Sequence, residues 1–324
     1  MRFTKTVKMM AASCLVVVGM AGSATAADID SVHFLIPGGA GGGWDGTARG
    51  TGEALTKSGI AGKASYENMS GGGGGKAIGY LIENAKSNEG TMMVNSTPII
   101  IRSLVGRFPY NFRDLTMIAG TIGDYAAFVV KKDSPINSFS DFIEKFKKAP
   151  RKMAVGGGSV PGGMDHLVLA MAVEASGEDP TKAKYIPYDA GGKAMASLLS
   201  GEIKMLSTGF SEAIALAQAG EVKIIAMTGP KRNDAFKDAP TLIEQGINAE
   251  FVNWRGFFGA PNLPAKKTAA YRAALKKMYD TPEWEVVRKR NGWVNIHNSG
   301  KDFEVFLTKQ EKLIKSLMIK LGFL

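Results

Sequence analysis

Glycine-rich segments at two points of the chain could bind an anion. The first covers residues 37–46, with the sequence PGGAGGGWDG, and the second covers residues 156–163, with the sequence GGGSVPGG. Each lies between a short apolar stretch and an amphipathic one, which predicts a strand, a loop and the start of a helix. The first N–H groups of a helix lack internal partners and carry partial positive charge, and glycine lets a ligand approach them. Two such helix ends facing one another would hold an anion.

The first segment also matches the G-x-G-x-x-G pattern of dinucleotide sites. Gly41, Gly43 and Gly46 supply its glycines, and Glu67 ends the next predicted strand. The additional glycines ahead of this pattern make the loop longer than the tight turn of a dinucleotide fold. A dinucleotide site is therefore an alternative. A purely structural role is another, in which Asp45 caps the helix by accepting backbone N–H bonds.

The sequence gives less support for a catalytic site or a metal-binding site. The segment 157–161, GGSVP, is close to a nucleophile elbow but has proline where the second glycine is required. The segment 70–77, SGGGGGKA, resembles a phosphate-binding loop without its first glycine and its metal-binding hydroxyl. Three histidines and one cysteine show no metal-ligand spacing. We expect no catalytic residue, no metal and no cofactor; a hydrolase that uses Ser159 is kept as an alternative.

Alternating strand and helix patterns position these loops. Strands are predicted near 32–36, 64–68, 91–95 and 116–122, and then near 126–131, 153–155, 184–187, 203–207 and 222–228, with helices between them and a helical end from about 265 to 320. No flexible linker separates the two series, so the chain is expected to cross between two lobes inside ordered strands. Such crossings act as hinges around a ligand cleft. Residues 27–125 and 250–324 would form lobe 1 and residues 126–249 lobe 2, with a single doubly wound domain as the alternative.

The N-terminal residues 1–26 are typical of a secretory signal peptide. Three basic residues precede an apolar run, and a small-residue site predicts cleavage before Ala27. The formal net charge of +10 falls to +7 without the three basic residues of this leader. Positive charge favours encounters with anions, but no basic block with interleaved aromatic residues suggests nucleic-acid binding. We expect an exported, periplasmic protein that has no membrane span beyond the leader and does not bind nucleic acid.

Several motifs, in order along the chain, together resemble one family. The chain is similar to the periplasmic substrate-binding proteins of tripartite tricarboxylate transporters, of the Bordetella uptake-protein type. The first loop, with three glycines before a tryptophan, resembles the tricarboxylate-binding branch. The motifs that carry the resemblance are PGG at 37–39, GGGWD at 41–45, TAR at 47–49, ENMSGGG at 67–73, NSTP at 95–98, GGGS at 156–159, GGMDH at 162–166, YDAGG at 188–192 and GFSE at 209–212.

The resemblance implies a type II periplasmic-binding-protein fold, in which two α/β lobes close on a small carboxylate. The carrier would capture a tricarboxylate, such as citrate, or a related organic acid, act as a monomer and deliver the ligand to membrane permease subunits. Carried onto this sequence, the ligand-binding residues are Gly41, Gly42, Gly43, Trp44, Asp45, Ser96, Thr97, Ser159, Gly162, Gly163, Asp189, Gly191 and Gly192. Among them, Asp45 and Asp189 are expected to orient loops and cap helices, since a direct contact with a carboxylate would be repulsive. An exported enzyme and a sensor that presents its ligand to a membrane partner are the alternatives.

Overall fold

The computed structural model describes residues 28–106 and 108–324, so the predicted signal peptide and its cleavage site lie outside the described residues. The strands are β1 Ile29–Ile36, β2 Ala61–Asn68, β3 Thr91–Ser96, β4 Thr116–Lys131, β5 Val155–Gly157, β6 Tyr185–Pro187, β7 Met205–Gly209, β8 Val222–Met227, β9 Val252–Gly259 and β10 Val294–Ser299. The α-helices are α1 Gly43–Lys57, α2 Gly75–Glu83, α3 Thr97–Leu104, α4 Phe139–Lys148, α5 Met164–Ala175, α6 Gly191–Ser200, α7 Phe210–Gln218, α8 Ala265–Met278, α9 Pro282–Arg290 and α10 Lys301–Lys320.

The first lobe is built on parallel strands from the start of the chain and antiparallel strands from its end. Strand β1 pairs in parallel with β2 and β3, and β3 pairs antiparallel with β9. Strands β9 and β10 then pair antiparallel with the first part of β4. Every residue of β3 is buried, so this strand lies inside the lobe with helices on both faces.

The second lobe repeats this arrangement with shorter strands. The end of β4 pairs antiparallel with β7 and with β8, while β5 pairs in parallel with β6 and β7. Helix α4 begins at Ser138, whose hydroxyl accepts the Asp141 N–H at 2.9 Å, and it buries a phenylalanine face against β4. The two-lobed α/β fold expected of a periplasmic binding protein is thereby confirmed.

One long strand connects the lobes. Strand β4 has 16 residues; residues 116–125 pair with β9, and residues 126–131 pair with β7 and β8. The prediction of two separate strands here was wrong, because hydrogen bonds to both lobes keep the backbone extended through residues 122–126. The chain returns beside it, where Phe251 N–H donates to Thr228 O at 3.1 Å. The exact lobe boundaries stay a prediction.

The C-terminal part is less helical than predicted. Strand β10 interrupts the region from 265 to 320, because its residues find backbone partners along β4. Trp254, Trp284 and Trp293 are almost fully buried, as expected of core residues. Among residues 28–106 and 108–324, no helix is long and apolar enough to span a membrane.

Candidate functional site in the cleft between the lobes

Three loops from the two lobes enclose a cavity of about 340 Å³. The first loop, residues 37–42, connects β1 to α1. The second loop, residues 158–163, connects β5 to α5, and the third loop, residues 188–190, connects β6 to α6. In each case a parallel strand ends and a helix begins at the cavity, which is where α/β sheets bind ligands. The N-termini of three helices therefore surround one space.

The first loop is held in place by its own helix. Asp45, in the first turn of α1, accepts the Gly41 N–H at 3.1 Å and the Asn68 amide at 3.1 Å, and it pairs with Arg49 Nε at 2.9 Å. The charge of Asp45 is thus compensated within the first lobe, and its bond to Gly41 holds the first loop, as predicted for a loop-orienting residue. Trp44 faces the cavity and donates its indole N–H to Ser96 Oγ at 2.9 Å.

The second loop is fixed by Asp165 in the first turn of α5. Ser159 Oγ donates to Asp165 Oδ2 at 2.9 Å and accepts the Asp165 N–H at 2.8 Å. Its hydroxyl is therefore bonded to a carboxylate and not to a histidine. His166 accepts the Gly162 N–H through Nδ1 at 3.0 Å and stacks on Tyr185 with 4.5 Å between ring centres. His166 packs behind the loop and does not line the cavity.

The third loop closes against the first. A Cβ placed on Gly39 would lie 3.0 Å from Asp189 O, and one on Gly42 would lie 3.2 Å from Ala190 Cβ. Ala190 has a φ of 96°, an unfavourable value for a residue with a side chain. Asp189 accepts a hydrogen bond from Ser70, across the cleft, and no side chain caps α6. The predicted capping role of Asp189 is therefore wrong, because Asp189 bonds to the opposite lobe instead.

Four polar residues form a cluster at the bottom of the cavity, and we call them the floor cluster: Thr47, Asp124, Glu212 and Arg255. Glu212 and Arg255 line the cavity, whereas Thr47 and Asp124 are buried behind them. Arg255 is 2% exposed; its Nη2 lies 2.9 Å from Asp124 Oδ2 and 3.9 Å from Glu212 Oε1. Its Nη1 donates to Thr47 Oγ1 at 3.1 Å. The cluster joins side chains of α1, β4, α7 and β9. It therefore links helices of both lobes to β4, the strand that connects the lobes.

Burial changes the protonation of two acids in the cavity wall. It raises the pKa of Glu212 to about 8 and the pKa of Asp165 to about 6. Three buried polar atoms in the wall, Arg255 Nε, Asn253 Oδ1 and Tyr188 Oη, have no partner among the described residues. Within the same part of the chain, no group of three acidic, histidine or cysteine residues could hold a metal ion.

The structure brings about half of the predicted site residues to the cavity surface. Those that line the cavity are Gly42, Gly43, Trp44, Ser96, Ser159, Asp189 and Gly191. The others lie behind the lining or at its rim: Gly41, Asp45, Thr97, Gly162, Gly163 and Gly192. Gly41 and Gly192 face one another between the first and third loops, with 3.8 Å from a Cβ on Gly41 to Gly192 Cα.

Sequence reasoning missed the charged floor of the cavity. Glu212 and Asp165 were noted only as parts of motifs, and Arg255 was not singled out. One signal could have found Arg255, since it is the one charged residue in the sequence of β9, VNWRGFFG. A charged residue in an otherwise apolar strand needs a buried partner or a function.

Solved structures share this architecture, and two of them contain a small organic acid. A TctC solute-binding protein from Polaromonas is 26% identical, covers 90% of this chain and 99% of its own, and superposes with a TM-score of 0.62. Two proteins of Rhodopseudomonas palustris share the fold: MatC, solved with malate, at 18% identity and a TM-score of 0.78, and one solved with adipate, at 20% and 0.81. The first covers 89% of this chain and 98% of its own, and the second covers 91% and 97%.

A family model supports the same assignment over most of the chain. Residues 50–323 match the model of the tripartite tricarboxylate transporter family receptor. The match includes the second and third loops, the floor cluster except Thr47, and all of the second lobe. The resemblance inferred from the motifs is thus confirmed. The chain belongs to the tripartite tricarboxylate transporter receptor family, whose members are periplasmic solute-binding receptors and not enzymes.

Proposed function

We propose that this protein captures a small organic carboxylate in the cavity between its lobes and delivers it to the permease of a tripartite tricarboxylate transporter. The observation that carries the proposal is the meeting of three helix N-termini, those of α1, α5 and α6, at one cavity. Each helix has at least ten residues and a glycine or alanine N-cap without a side-chain hydrogen bond. First-turn N–H groups therefore remain available to a ligand, except that of Asp165, which donates to Ser159.

Closure of the lobes would strengthen this binding. The first and third loops are in contact, and Val160 of the second loop lies 3.3 Å from a Cβ placed on Gly73 of the first lobe. Water that would compete for the ligand carboxylate is excluded from such a site, which makes each N–H to carboxylate bond stronger. Permease subunits would then recognise the closed conformation, which is mainly populated when the ligand is bound.

The cavity wall favours a ligand with few charges. Much of the wall is apolar, with Pro98, Val160, Pro161 and Met164 among its residues. Its one arginine, Arg255, is already paired with Asp124. The citrate-like ligand expected from the sequence stays a prediction, and this wall fits an acid with one or two carboxylates better. Malate and adipate, found in proteins of the same fold, are acids of this kind.

Export and the oligomeric state belong to the same proposal. We infer that the chain is secreted, that it is cleaved before Ala27, and that it works as a monomer. Mass spectrometry of the exported protein gives the cleavage site, and light scattering gives the mass in solution. A mature mass that includes the leader, or a stable dimer, would contradict these points.

Binding is tested first by a thermal-shift screen of the mature chain after unfolding and refolding, which removes a carried ligand. The panel is malate, adipate, citrate, benzoate and a nicotinamide nucleotide. An acid at a hundred times its Kd should stabilise the protein by about 2.7 kcal/mol, a shift of several degrees. Stabilisation by the nucleotide alone, or by nothing in the panel, would contradict carboxylate binding.

A pair of glycine variants assigns the binding to this cavity. Gly42→Val places a side chain against Ala190 of the third loop, whereas Gly90→Val lies in a turn where a Cβ meets nothing within 4 Å. Gly42→Val should lose the ligand-induced shift and remain folded, and Gly90→Val should keep the shift. Equal shifts in both variants would place the binding site elsewhere.

A further inference from the structure

The carboxyl group of Glu212 lies between the N-termini of two helices from opposite lobes. A Cβ placed on Gly43, at the start of α1, would lie 3.0 Å from Glu212 Oε1. A Cβ on Gly191, at the start of α6, would lie 2.9 Å from Glu212 Cδ and would overlap Oε2. Oε1 accepts the Gly209 N–H at 3.3 Å, and Oε2 has no hydrogen bond to any described residue. The side chain lines the cavity and is 12% exposed.

A carboxylate ligand in this cavity would therefore lie next to a second carboxyl group. The charged groups that face Glu212 are Arg255 from β9, Asp124 from β4 and Asp165 from α5. Arg255 is 1 Å closer to Asp124 than to Glu212, at 2.9 Å against 3.9 Å, so its charge mainly compensates Asp124.

Two further acids near the cavity have their own cations, and none of the described cations other than Arg255 forms an ion pair with Glu212. Asp45 is paired with Arg49 in the first lobe, and Asp189 is paired with Lys193 in the second. Two carboxylates in contact in a site of low dielectric cannot both be ionised without a large cost. One proton between them removes the repulsion and forms a strong hydrogen bond.

We propose, on the basis of the carboxylate-binding function above, that Glu212 is protonated in the loaded protein and donates its O–H to the carboxylate of the ligand. The protein then binds the carboxylate ion with one proton on Glu212. Above about pH 8 this proton is taken up from solvent on binding, whereas at neutral pH the buried carboxyl group already carries it. The ligand is therefore an organic acid, and the O–H group of Glu212 binds one of its carboxylates. Burial supports this assignment independently, since it raises the pKa of Glu212 to about 8 even without a ligand.

Proton uptake is measured by titration calorimetry of malate and adipate into the mature protein, in phosphate and in Tris buffer. The difference in apparent heat between the two buffers gives the number of protons bound with each ligand. Wild type should take up nearly one proton per ligand at a pH above 8, and its affinity should fall by up to tenfold for each further pH unit. Both acids stay ionised throughout, so the proton must enter the protein.

Two variants make the test specific to Glu212. Glu212→Gln keeps a hydrogen-bond donor at the same position, so it should bind at pH 7 with no proton uptake and with an affinity that changes by less than about threefold from pH 6.5 to 9. Glu221→Gln, on an exposed turn after α7, should behave like wild type. Binding by wild type above pH 8 without proton uptake, or with uptake that Glu212→Gln retains, overturns the inference alone. No binding of either acid at any pH overturns the proposed function and this inference with it.

Discussion

Two aspartates occupy the first turns of the helices that open onto the cleft, and their surroundings are opposite. Asp45 of α1 has Arg49 at 2.9 Å as well as two N–H donors. Asp165 of α5 has the Ser159 hydroxyl and backbone N–H groups but no ion pair with a described residue, and burial raises its pKa to about 6 although the charge of Arg255 acts to lower it. The first lobe therefore compensates its acid with a paired cation, whereas the second lobe holds its acid mainly with hydrogen bonds, in surroundings that favour the protonated form.

This difference extends to the floor of the cavity. Both lobes line the cavity with glycine and serine, but the acids in its lining, Asp165, Asp189 and Glu212, all come from the second lobe. Arg255, on strand β9, is a buried cation at the bottom of the cavity between the two lobes. The comparison indicates that helix N-termini provide attraction for an anion in both lobes, while the acids of the second lobe make that attraction depend on protonation.

Removal of the central cation should have the largest effect. Arg255→Met leaves Asp124 buried without its partner, and such losses cost about 3–5 kcal/mol of folding free energy. Urea unfolding at pH 7 measures the change. The double variant Arg255→Met, Asp124→Asn should recover part of the loss, because the second charge is then removed as well. A loss below about 1 kcal/mol in the single variant would show that Arg255 does not hold the floor cluster together.

The pH dependence of stability should separate the two aspartates. Asp165 has a pKa of about 6 in the folded protein and an ordinary value of 3.8, so its contribution is fully present below pH 3.8 and is lost as the pH rises through 6. The loss amounts to roughly 3 kcal/mol of unfolding free energy at most. Asp165→Asn should not show it, so the variant should become more stable relative to wild type as the pH rises from 4 to 7. Urea unfolding at a series of pH values measures the difference.

The matched variant in the first lobe should behave in the opposite way. Asp45→Asn loses the pair with Arg49 and a strong acceptor for the loop N–H, so it should be about 1 kcal/mol less stable than wild type at pH 7. If both variants lose stability equally at pH 7, the contrast between the two lobes is wrong.

The loops of the site were predictable from the sequence because their signals are local. Glycine runs between an apolar stretch and an amphipathic stretch mark a strand, a turn and a helix start without reference to the rest of the chain. The family motifs then gave the two-lobed fold. The buried charges were not predictable in the same way, since Glu212, Arg255 and Asp124 are distant in sequence and meet only where α7, β9 and β4 pack together.

The same physical reason explains the elements that were predicted incorrectly. The sequence of β10, VNIHNS, alternates apolar and polar residues over only four positions, and it becomes a strand through antiparallel pairing with residues 119–123 of β4. The apparent break between residues 122 and 126 contains Gly123 and Asp124, which usually favour a turn. There the strand continues because Asp124 accepts two hydrogen bonds from Ser211 and pairs with Arg255.

Two glycines of α1 should differ in their tolerance of a methyl group. In Gly43→Ala the new Cβ would lie 2.6 Å from Arg255 Cζ, which the floor cluster holds in place, so the cost should be about 1–3 kcal/mol. In Gly46→Ala the Cβ meets nothing within 4 Å, and the change should stabilise the helix by up to about 1 kcal/mol. Thermal unfolding of both variants, with and without malate, measures these effects. Equal tolerance at the two positions would mean that α1 is not tightly packed on Arg255.

The smallest effect concerns a single bond between the lobes. The Ser70 hydroxyl donates to Asp189 across the cleft, and this bond lowers the pKa of Asp189. Ser70→Ala should weaken ligand binding by about two- to tenfold, with a faster dissociation rate, because the bond exists only when the lobes are closed. Unfolding of the ligand-free protein should hardly change.

Ser65→Ala is the control for this bond, since the Ser65 hydroxyl bonds to His33 within the first lobe at 2.9 Å and does not depend on closure. Stopped-flow measurement of ligand release compares the two variants. If Ser65→Ala releases its ligand as fast as Ser70→Ala, the bond between Ser70 and Asp189 does not hold the lobes closed. The acids of the second lobe then affect closure only where they line the cavity. If only Ser70→Ala is faster, Asp189 is the one acid of the second lobe that favours closure, because it accepts a hydroxyl from the first lobe instead of facing the ligand.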